Sequence, residues 1–467
     1  MNKIKLIYIS CALLICSCGS DFLEIEPQQS VSISIAVTDL NSLNAAVNGV
    51  YSNFQDPNLY GWDMPLIADL RGDNAFISSK NAGRFVEFDD FDMTDQCGRC
   101  EAEWLDNYEV IVNASNIINR FSDIELLSSE EDEAGSLLGQ AHALRALSYW
   151  NLTRTFAKAY SHDGGASLGV AINNEGTTGE FVSPSRASVA EVYDQVIADL
   201  NMAIDLIDTN EGGRVSKAGS QALLAKVYLY QENWSQAATM ASSVINGGTH
   251  SLYADGASWL ASWGNNIGSE DLFVVVNTPT DNLGVNSMGG IIDQDGYGDV
   301  LATEDLFNSY AESDIRRSIM IRGDRADGEV NALFPEGKYP NGETGDDYIK
   351  VIRLADVYLI RAEARAMMGD DAGAIQDLTA VAGRVNPDYT SVTLSGNALV
   401  EEIIEERRRE LAFEGDRGFD LSRLQKSWTK FRTFENLTID FNEPRLINPI
   451  PRAEIDVNPN MVQNPGF

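Results

Sequence analysis

Glutamates crowd the stretch 401–410, and paired carboxylates are the groups that hydrolyse glycosidic bonds. A glycoside hydrolase needs two of them facing each other across the scissile bond. Here Glu405 and Glu406 precede Arg409 by four and three residues, the spacing at which opposite charges pair along one helix face. We therefore predict a structural ion-pair network in this stretch instead of a catalytic pair.

A second pattern, Gly165–Gly169, has the glycine and serine spacing of a nucleophile elbow. That motif requires a strand before it and a helix after it, whereas both flanks here are typical of loops. Three histidines are available as a general base, namely His142, His162 and His250. We therefore predict that the match is fortuitous and that the protein is not an enzyme.

One acidic stretch resembles a twelve-residue calcium loop, with carboxylates at positions one, three, seven and twelve: Asp293, Asp295, Asp299 and Glu304. Gly298 takes the sixth position, but Tyr297 replaces the usual fifth ligand and no helix clearly precedes the loop. A structural Ca²⁺ site and a turn rich in glycine and aspartate both remain open, and we favour the turn. No other cofactor is predicted.

Aromatic and polar residues of the irregular regions fit a sugar better. Sugar rings stack their C–H faces on aromatic planes, and their hydroxyls pair with carboxylate, amide and guanidinium groups. The predicted ligand-binding residues are Asp69, Arg71, Asp73, Asn74, Trp263, Tyr297 and Tyr339. They come from two loop-rich regions, about 60–100 and 250–349, so the prediction requires these regions to meet in the fold.

The elements that must hold these loops are helix pairs. Apolar residues recur at helical spacing in 218–244 and 351–378, each as a helix, a tight polar turn and a second helix. Small residues recur across the turns, Ala225 with Ala237 and Ala362 with Ala374. This is typical of tetratricopeptide repeats. We predict a mostly α fold, in which a helical-repeat scaffold (about 104–249 and 350–425) carries the loop-rich region and its short strands.

Two further helix pairs belong to the predicted scaffold. One joins 140–156 to 188–207 across a long insertion, with Ser188 and Glu191 as a capping box, and the other is 399–424 with Gly415 at its turn.

The N-terminal segment predicts export. Lysines precede a short apolar run that is typical of a secretory signal, and Ser17 then precedes Cys18. We expect a lipoprotein signal peptide over 1–17, a lipidated Cys18, a tether over 18–35 and a single domain over 36–467. Cys97 and Cys100 then lie in an oxidising compartment, where a local disulfide is favoured over free thiols or a metal site.

The charge of the chain restricts its partners. There are 70 acidic residues against 34 basic ones, a net charge of −36. Such an excess argues against binding to nucleic-acid phosphates and suits a soluble surface that meets neutral ligands.

The chain resembles the SusD/RagB family of outer-membrane nutrient-binding lipoproteins of Bacteroidetes. The resemblance rests on several motifs from Cys18 to the C-terminus: Trp104-x3-Tyr108, Leu144-Arg145-Ala146, Pro184-x-Arg186-x-Ser188, Glu406-Arg407-x2-Glu410 with Gly415-x-Arg417, Leu446–Pro451 and Asn464-Pro465-Gly466-Phe467. It implies a surface-exposed, lipid-anchored protein that binds oligosaccharide without catalysis and delivers it to a SusC-like TonB-dependent transporter. Peptide capture of the RagB kind, a surface glycoside hydrolase and a protein-interaction scaffold remain as alternatives.

Overall fold

The structure is a computed structural model that describes residues 37–179, 182–209, 212–325, 329–432 and 435–467. The predicted signal peptide, the lipidated Cys18 and the tether lie outside the described residues. No helix in the described part of the chain has both the length and the apolar character needed to cross a membrane.

Helices dominate the fold. In chain order they are α1 Leu40–Asn53, α2 Asp63–Arg71, α3 Val86–Asp89, α4 Gly98–Arg120, α5 Glu131–Phe156, α6 Val189–Leu206, α7 Lys217–Tyr230, α8 Trp234–Gly247, α9 Gly256–Leu260, α10 Met288–Ile292, α11 Glu304–Ser309, α12 Leu354–Met367, α13 Asp371–Val385, α14 Asn397–Glu410, α15 Arg417–Arg423 and α16 Arg452–Val457.

Strands are short and form two-stranded antiparallel sheets. They are β1 Ala75–Ile77, β2 Asp271–Val275, β3 Val300–Ala302, β4 Ile321–Gly323, β5 Ala332–Phe334, β6 Ile349–Arg353, β7 Trp428–Lys430 and β8 Leu437–Ile439. The pairs are β1 with β3, β2 with β6, β4 with β5, and β7 with β8.

Three of the four predicted helix pairs are confirmed. Helices α5 and α6, α7 and α8, and α12 and α13 pack against each other, and α8 also packs on α12, which joins the earlier pairs to the later ones. The small residues Ala225, Ala237, Ala362 and Ala374 are fully buried, as close helix approach requires. Ser188 and Glu191 form the expected capping box at the start of α6.

One helix boundary was wrong. The pattern starting at Val351 was interpreted as helix throughout, but Val351 lies in β6 and helix α12 begins at Leu354. Residues 349–353 pair with β2, and Arg353 is extended, with φ −136° and ψ 163°. The apolar residues of this short segment fit both the helical and the strand periodicity, so its pairing with β2 decided its structure.

Helix α2 corrects the interpretation of region 60–100 as loop. All nine of its residues, Asp63–Arg71, are buried. Asp69 and Arg71 are therefore part of an internal helix. An internal helix surrounded by other elements lacks the one-sided apolar pattern by which surface helices are recognised.

Candidate ligand-binding surface

The two loop-rich regions meet, as the ligand-site prediction required. Strand β1 pairs with β3 in the register Ala75 to Ala302 and Ile77 to Val300. Beyond the strands, the Ser78 hydroxyl donates to the Gly298 carbonyl at 2.6 Å. Residues 78–84 and 294–299 thus lie side by side, although more than 200 residues separate them in the sequence.

Tyr297 lies at this junction and is half-exposed. The guanidinium carbon of Arg84 lies 3.9 Å from the centroid of its ring, a cation–π contact. Arg84 is held in turn by the buried carboxylate of Asp299, with Nη2 donating to Oδ1 at 3.1 Å. The Tyr297 hydroxyl donates to Asn286 Oδ1 at 3.2 Å. The ring and the hydroxyl of Tyr297 are therefore both held by contacts with other side chains.

Polar side chains surround the tyrosine. Lys80 is exposed and donates to the carbonyls of Gly296 at 2.8 Å and Gln294 at 3.2 Å, which leaves one ammonium hydrogen for another acceptor. Asn81 donates to the Arg84 carbonyl at 2.8 Å. We call this set the Tyr297 surface: Lys80, Asn81, Arg84, Asn286 and Tyr297. It combines an aromatic ring with amide, ammonium and guanidinium groups, the types that bind sugar rings and their hydroxyls.

Asp69 and Asn74 are buried inside the protein. Asp69 accepts from the Asn74 amide at 2.6 Å and from the backbone amide of Phe413 at 3.0 Å, and burial raises the pKa of Asp69 to about 6. The Asn74 carbonyl oxygen accepts from Arg408 Nε at 2.9 Å. Both side chains therefore tie α2 to the end of α14 and the turn after it.

Arg71 and Asp73 also have internal partners. Arg71 donates to the side-chain oxygen of Asn448 and lies over the Phe88 ring at 4.9 Å, and burial lowers its pKa to about 10. Asp73 accepts from both Nε and Nη2 of Arg417, at 2.6 and 2.7 Å. This two-bond pair is a strong structural contact and leaves little of the carboxylate for a ligand.

Trp263 and Tyr339 are core residues. Trp263 packs edge-on against Trp259 at 5.4 Å, with the Lys338 ammonium 4.7 Å from its ring centre. The Tyr339 hydroxyl donates to the Phe413 carbonyl at 2.8 Å, and burial raises the pKa of Tyr339 well above its usual value. Of the seven residues predicted to bind ligand, Tyr297 is the one whose side chain reaches the surface.

Two acids of the predicted calcium loop have arginine partners in the structure. Asp299 is paired with Arg84, and Glu304 with Arg322, whose Nη2 donates at 3.0 Å. Asp293 accepts from the backbone amide two residues later at 2.8 Å, which is turn geometry. Within residues 37–467, apart from the gaps given above, no group of three or more metal-binding side chains comes together. Asp293 therefore lies at the start of a turn, and Ca²⁺ binding by this stretch stays a prediction.

The local disulfide is confirmed, because Cys97 and Cys100 are bonded at the start of α4. Cys97 is also the N-cap, and its sulfur accepts from the Cys100 amide at 3.2 Å. The bond stiffens the entry to this long helix.

The carboxylates of 401–410 form the predicted ion-pair network. Glu406 pairs with Arg409 at 2.8 Å, as expected, whereas Glu405 lies 3.7 Å from Arg408 and from Arg417 instead of pairing with Arg409. At the helix end, Glu410 accepts from three arginines and is fully buried: Arg316, Arg353 and Arg384. These acids hold helices together.

Arg84, Lys80 and Asn286 were missed by the sequence reasoning. For Lys80 and Arg84 the available signal was the run Ser78–Arg84, a polar loop between two buried segments. It carries a lysine and an arginine in a strongly acidic chain. Loops of this composition commonly carry binding residues.

Comparisons with known proteins agree on one group. A family model described as "SusD family" matches residues 328–467, and another, described as "Starch-binding associating with outer membrane", matches residues 21–229. SusD-like protein P2 of Formosa agariphila is 27% identical, over 100% of both chains.

Solved structures give the same result. A putative sugar binding protein from Bacteroides vulgatus superposes with a TM-score of 0.84 at 29% identity, covering 92% of this chain and 99% of that one. A SusD superfamily protein from Bacteroides thetaiotaomicron has a TM-score of 0.84 at 27% identity, covering 92% and 100%. The similarity therefore extends over nearly the whole length of each protein.

Proposed function

Because the chain belongs to the SusD/RagB family, we propose that it is a surface glycan-binding lipoprotein of the outer membrane. In this role it captures an oligosaccharide and passes it to a SusC-like TonB-dependent transporter without cleaving it. The family model for starch-binding proteins associated with the outer membrane supports the glycan and the location.

The Tyr297 surface carries the proposal. It is where the two loop-rich regions meet, and it presents an aromatic ring beside ammonium, amide and guanidinium donors. A sugar ring stacks on the tyrosine or on the guanidinium plane above it, and its hydroxyls accept hydrogen bonds from Lys80 and Asn81. The helix pairs support these loops, and the scaffold that they form is the part of the protein that contacts the transporter.

Binding without hydrolysis fits the state of the acidic side chains. Glu406 and Glu410 are the central carboxylates of the richest acidic stretch, and both are buried among arginines. A general acid needs a raised pKa and access to the glycosidic oxygen. The arginines hold the pKa of Glu410 well below its usual value, and both carboxylates are buried away from any glycosidic oxygen.

Glycan binding is tested with the chain that begins after Cys18. A glycan array selects ligands, and calorimetry then measures Kd for the wild type and for Tyr297→Ala. We expect at least a tenfold loss of affinity, about 1.4 kcal/mol, from the lost stacking. Tyr228→Ala is the matched control, because this half-exposed tyrosine lies on α7 in the helical scaffold and should leave Kd unchanged.

Two other outcomes would support alternative functions, namely peptide binding or glycan hydrolysis. Binding of peptides with no array signal would favour the RagB-like function. Release of reducing sugar from a bound glycan by the purified protein would contradict the non-catalytic proposal.

Anchoring and delivery have separate tests. Cys18→Ala should abolish incorporation of labelled palmitate and release the protein from the outer-membrane fraction. Wild-type protein extracted in detergent should co-purify with a TonB-dependent barrel, identified by mass spectrometry. Recovery of the extracted protein without such a barrel would contradict the delivery role.

A further inference from the structure

A cavity lies between residues of the C-terminal region and the end of α5, apart from the Tyr297 surface. Its volume is about 250 Å³. We call it the C-terminal pocket, and it is lined by Lys158, Ala159, His162, Ser422, Gln425, Phe441, Asn442, Glu443, Pro444, Leu446, Ile447 and Pro465. Pockets for drug-sized ligands measure about 300–1,000 Å³, so this one suits a single ring.

The walls of the C-terminal pocket are held in place by hydrogen bonds. The Ser161 hydroxyl donates to the Arg423 carbonyl at 2.6 Å, and the Gln425 amide donates back to the Ser161 carbonyl at 2.7 Å. Gln425 itself has a φ of 51°, a left-handed conformation that is uncommon outside glycine. Next to the lining residue Ile447, the backbone amide of Asn448 donates to the Thr155 carbonyl at 2.7 Å. A preformed pocket of this kind loses little entropy on binding.

The chemistry of the pocket is divided between an apolar wall and a cationic rim. Phe441, Pro444 and Ile447 supply apolar surface on the wall. On the rim, Lys158 Nζ lies 3.0 Å from His162 Nε2, its one hydrogen bond within the described part of the chain. The ammonium therefore keeps two hydrogens for another acceptor.

Lys158 has no carboxylate partner within the described part of the chain, in contrast to the buried lysines. With acidic residues outnumbering basic ones by 70 to 34, buried lysines such as Lys226, Lys338 and Lys350 are all in salt bridges. The carboxylate that lines the pocket, Glu443, instead accepts from the backbone amide of Arg445 at 3.3 Å. A charged ammonium without a carboxylate partner, beside a ring-sized apolar cavity, selects for an anionic group on the ligand.

We propose that the C-terminal pocket binds a single acidic sugar residue, whose carboxylate or sulfate pairs with Lys158. The sugar ring lies against Phe441, and its hydroxyls pair with Gln425 and Asn442 on the rim. This proposal rests on the proposed glycan-binding function and adds to it a second contact for a polymer that carries uronate or sulfate groups. Two contacts on one polymer raise its affinity through effective concentration.

The test uses the chain that begins after Cys18 and monosaccharide probes, with binding measured by saturation-transfer NMR. Methyl glucuronide should bind, and methyl glucoside should bind at least fivefold more weakly because it lacks the anion. Lys158→Ala should weaken glucuronide binding at least fivefold, and Phe441→Ala should also weaken it. Lys158→Arg should retain most of the affinity because it keeps the charge.

Matched variants separate the pocket from general charge effects. Lys217→Ala removes the same charge from an exposed position on α7 and should leave glucuronide binding unchanged. An equal effect of Lys217→Ala, or equal binding of glucoside and glucuronide, would overturn the proposal. Inorganic sulfate that displaces glucuronide at equal concentration would also overturn it, because the sugar ring would then contribute nothing.

The two proposals fail independently. Tyr297→Ala should not change glucuronide binding at the C-terminal pocket, and Lys158→Ala should not change binding of neutral glycans at the Tyr297 surface. Loss of neutral glycan binding alone would leave the pocket in place, and loss of the Lys158 effect alone would leave the Tyr297 surface in place.

Discussion

The guanidinium of Arg84 lies over the ring of Tyr297, with its carbon 3.9 Å from the ring centroid, and so joins the two loop-rich regions through side chains. The same arginine pairs with Asp299, two residues beyond the tyrosine. One side chain therefore fixes both the orientation of the aromatic ring and the position of a buried acid. A surface that is already ordered loses less conformational entropy when its ligand binds.

Removing both members of the Arg84–Asp299 pair should destabilise the protein less than the sum of the two single losses. Asp299 has no exposed side-chain surface, so Arg84→Ala leaves a buried carboxylate without its main partner. We expect each single variant, Arg84→Ala or Asp299→Asn, to lower the free energy of unfolding by about 2 kcal/mol. Urea unfolding of the singles and the double gives their coupling, expected at about 1–2 kcal/mol. Additive losses would show that the pair does not act as a unit.

The helical scaffold was predictable because its signals are local. Helix α8 keeps one buried apolar face, and small residues beside the turn between α7 and α8 recur beside the turn between α12 and α13. Such patterns lie within one stretch of sequence and need no knowledge of distant partners. The boundary at Val351 failed because its partner, β2, lies about 80 residues earlier.

The site residues were harder to predict because distant partners decide their exposure. Asp73 was interpreted as a ligand-binding acid, but Arg417, more than 300 residues away, occupies its carboxylate. Asn74 is occupied in the same way by Arg408. Residue type shows that a group can bind a sugar, but not whether another part of the chain already binds it. Tyr297 reaches the surface because its loop lies at the junction of two regions.

The disulfide between Cys97 and Cys100 should contribute only modestly to stability. It closes a four-residue loop, for which the loss of unfolded-state entropy predicts about 2 kcal/mol. Serine is a preferred N-cap, so Cys97→Ser keeps the hydrogen bond to the first turn of α4. We expect the Cys97→Ser/Cys100→Ser double variant to lose about 1–2 kcal/mol in urea unfolding and to keep its glycan affinity. Loss of binding on reduction would place the disulfide in the site instead.

Glu410 should be among the most costly residues to change. Its carboxylate accepts from Arg353 at 2.6 Å, from Arg316 at 2.7 Å and from Arg384 at 2.7 Å, all of them inside the protein. Glu410→Gln leaves three buried guanidinium groups with less negative charge than they require, so we expect a loss of at least 3 kcal/mol in urea unfolding.

Glu402→Gln is the matched control for Glu410→Gln, on the same helix. Glu402 pairs with Arg409 at 2.7 Å but keeps 31% of its side chain exposed. Exposed pairs contribute at most about 1 kcal/mol, so this variant should remain close to the wild type. Equal losses in the two variants would mean that burial does not set the cost.

Glu103 should make the protein less stable as pH rises through neutrality. Burial raises the pKa of Glu103 to about 7 from its usual 4.5, so the folded protein binds this proton more tightly than the unfolded chain does. The stabilising contribution of protonated Glu103 is complete below about pH 4.5 and is lost as pH rises through 7.

The variant Glu103→Gln removes this titrating group and keeps a side-chain amide that can bond to Asn448, which donates to the Glu103 carboxylate at 2.9 Å. We expect the variant to gain up to about 3 kcal/mol relative to the wild type between pH 5 and 8. Urea unfolding across this range measures the difference, and parallel pH profiles for the two proteins would show that Glu103 stays ionised inside the fold.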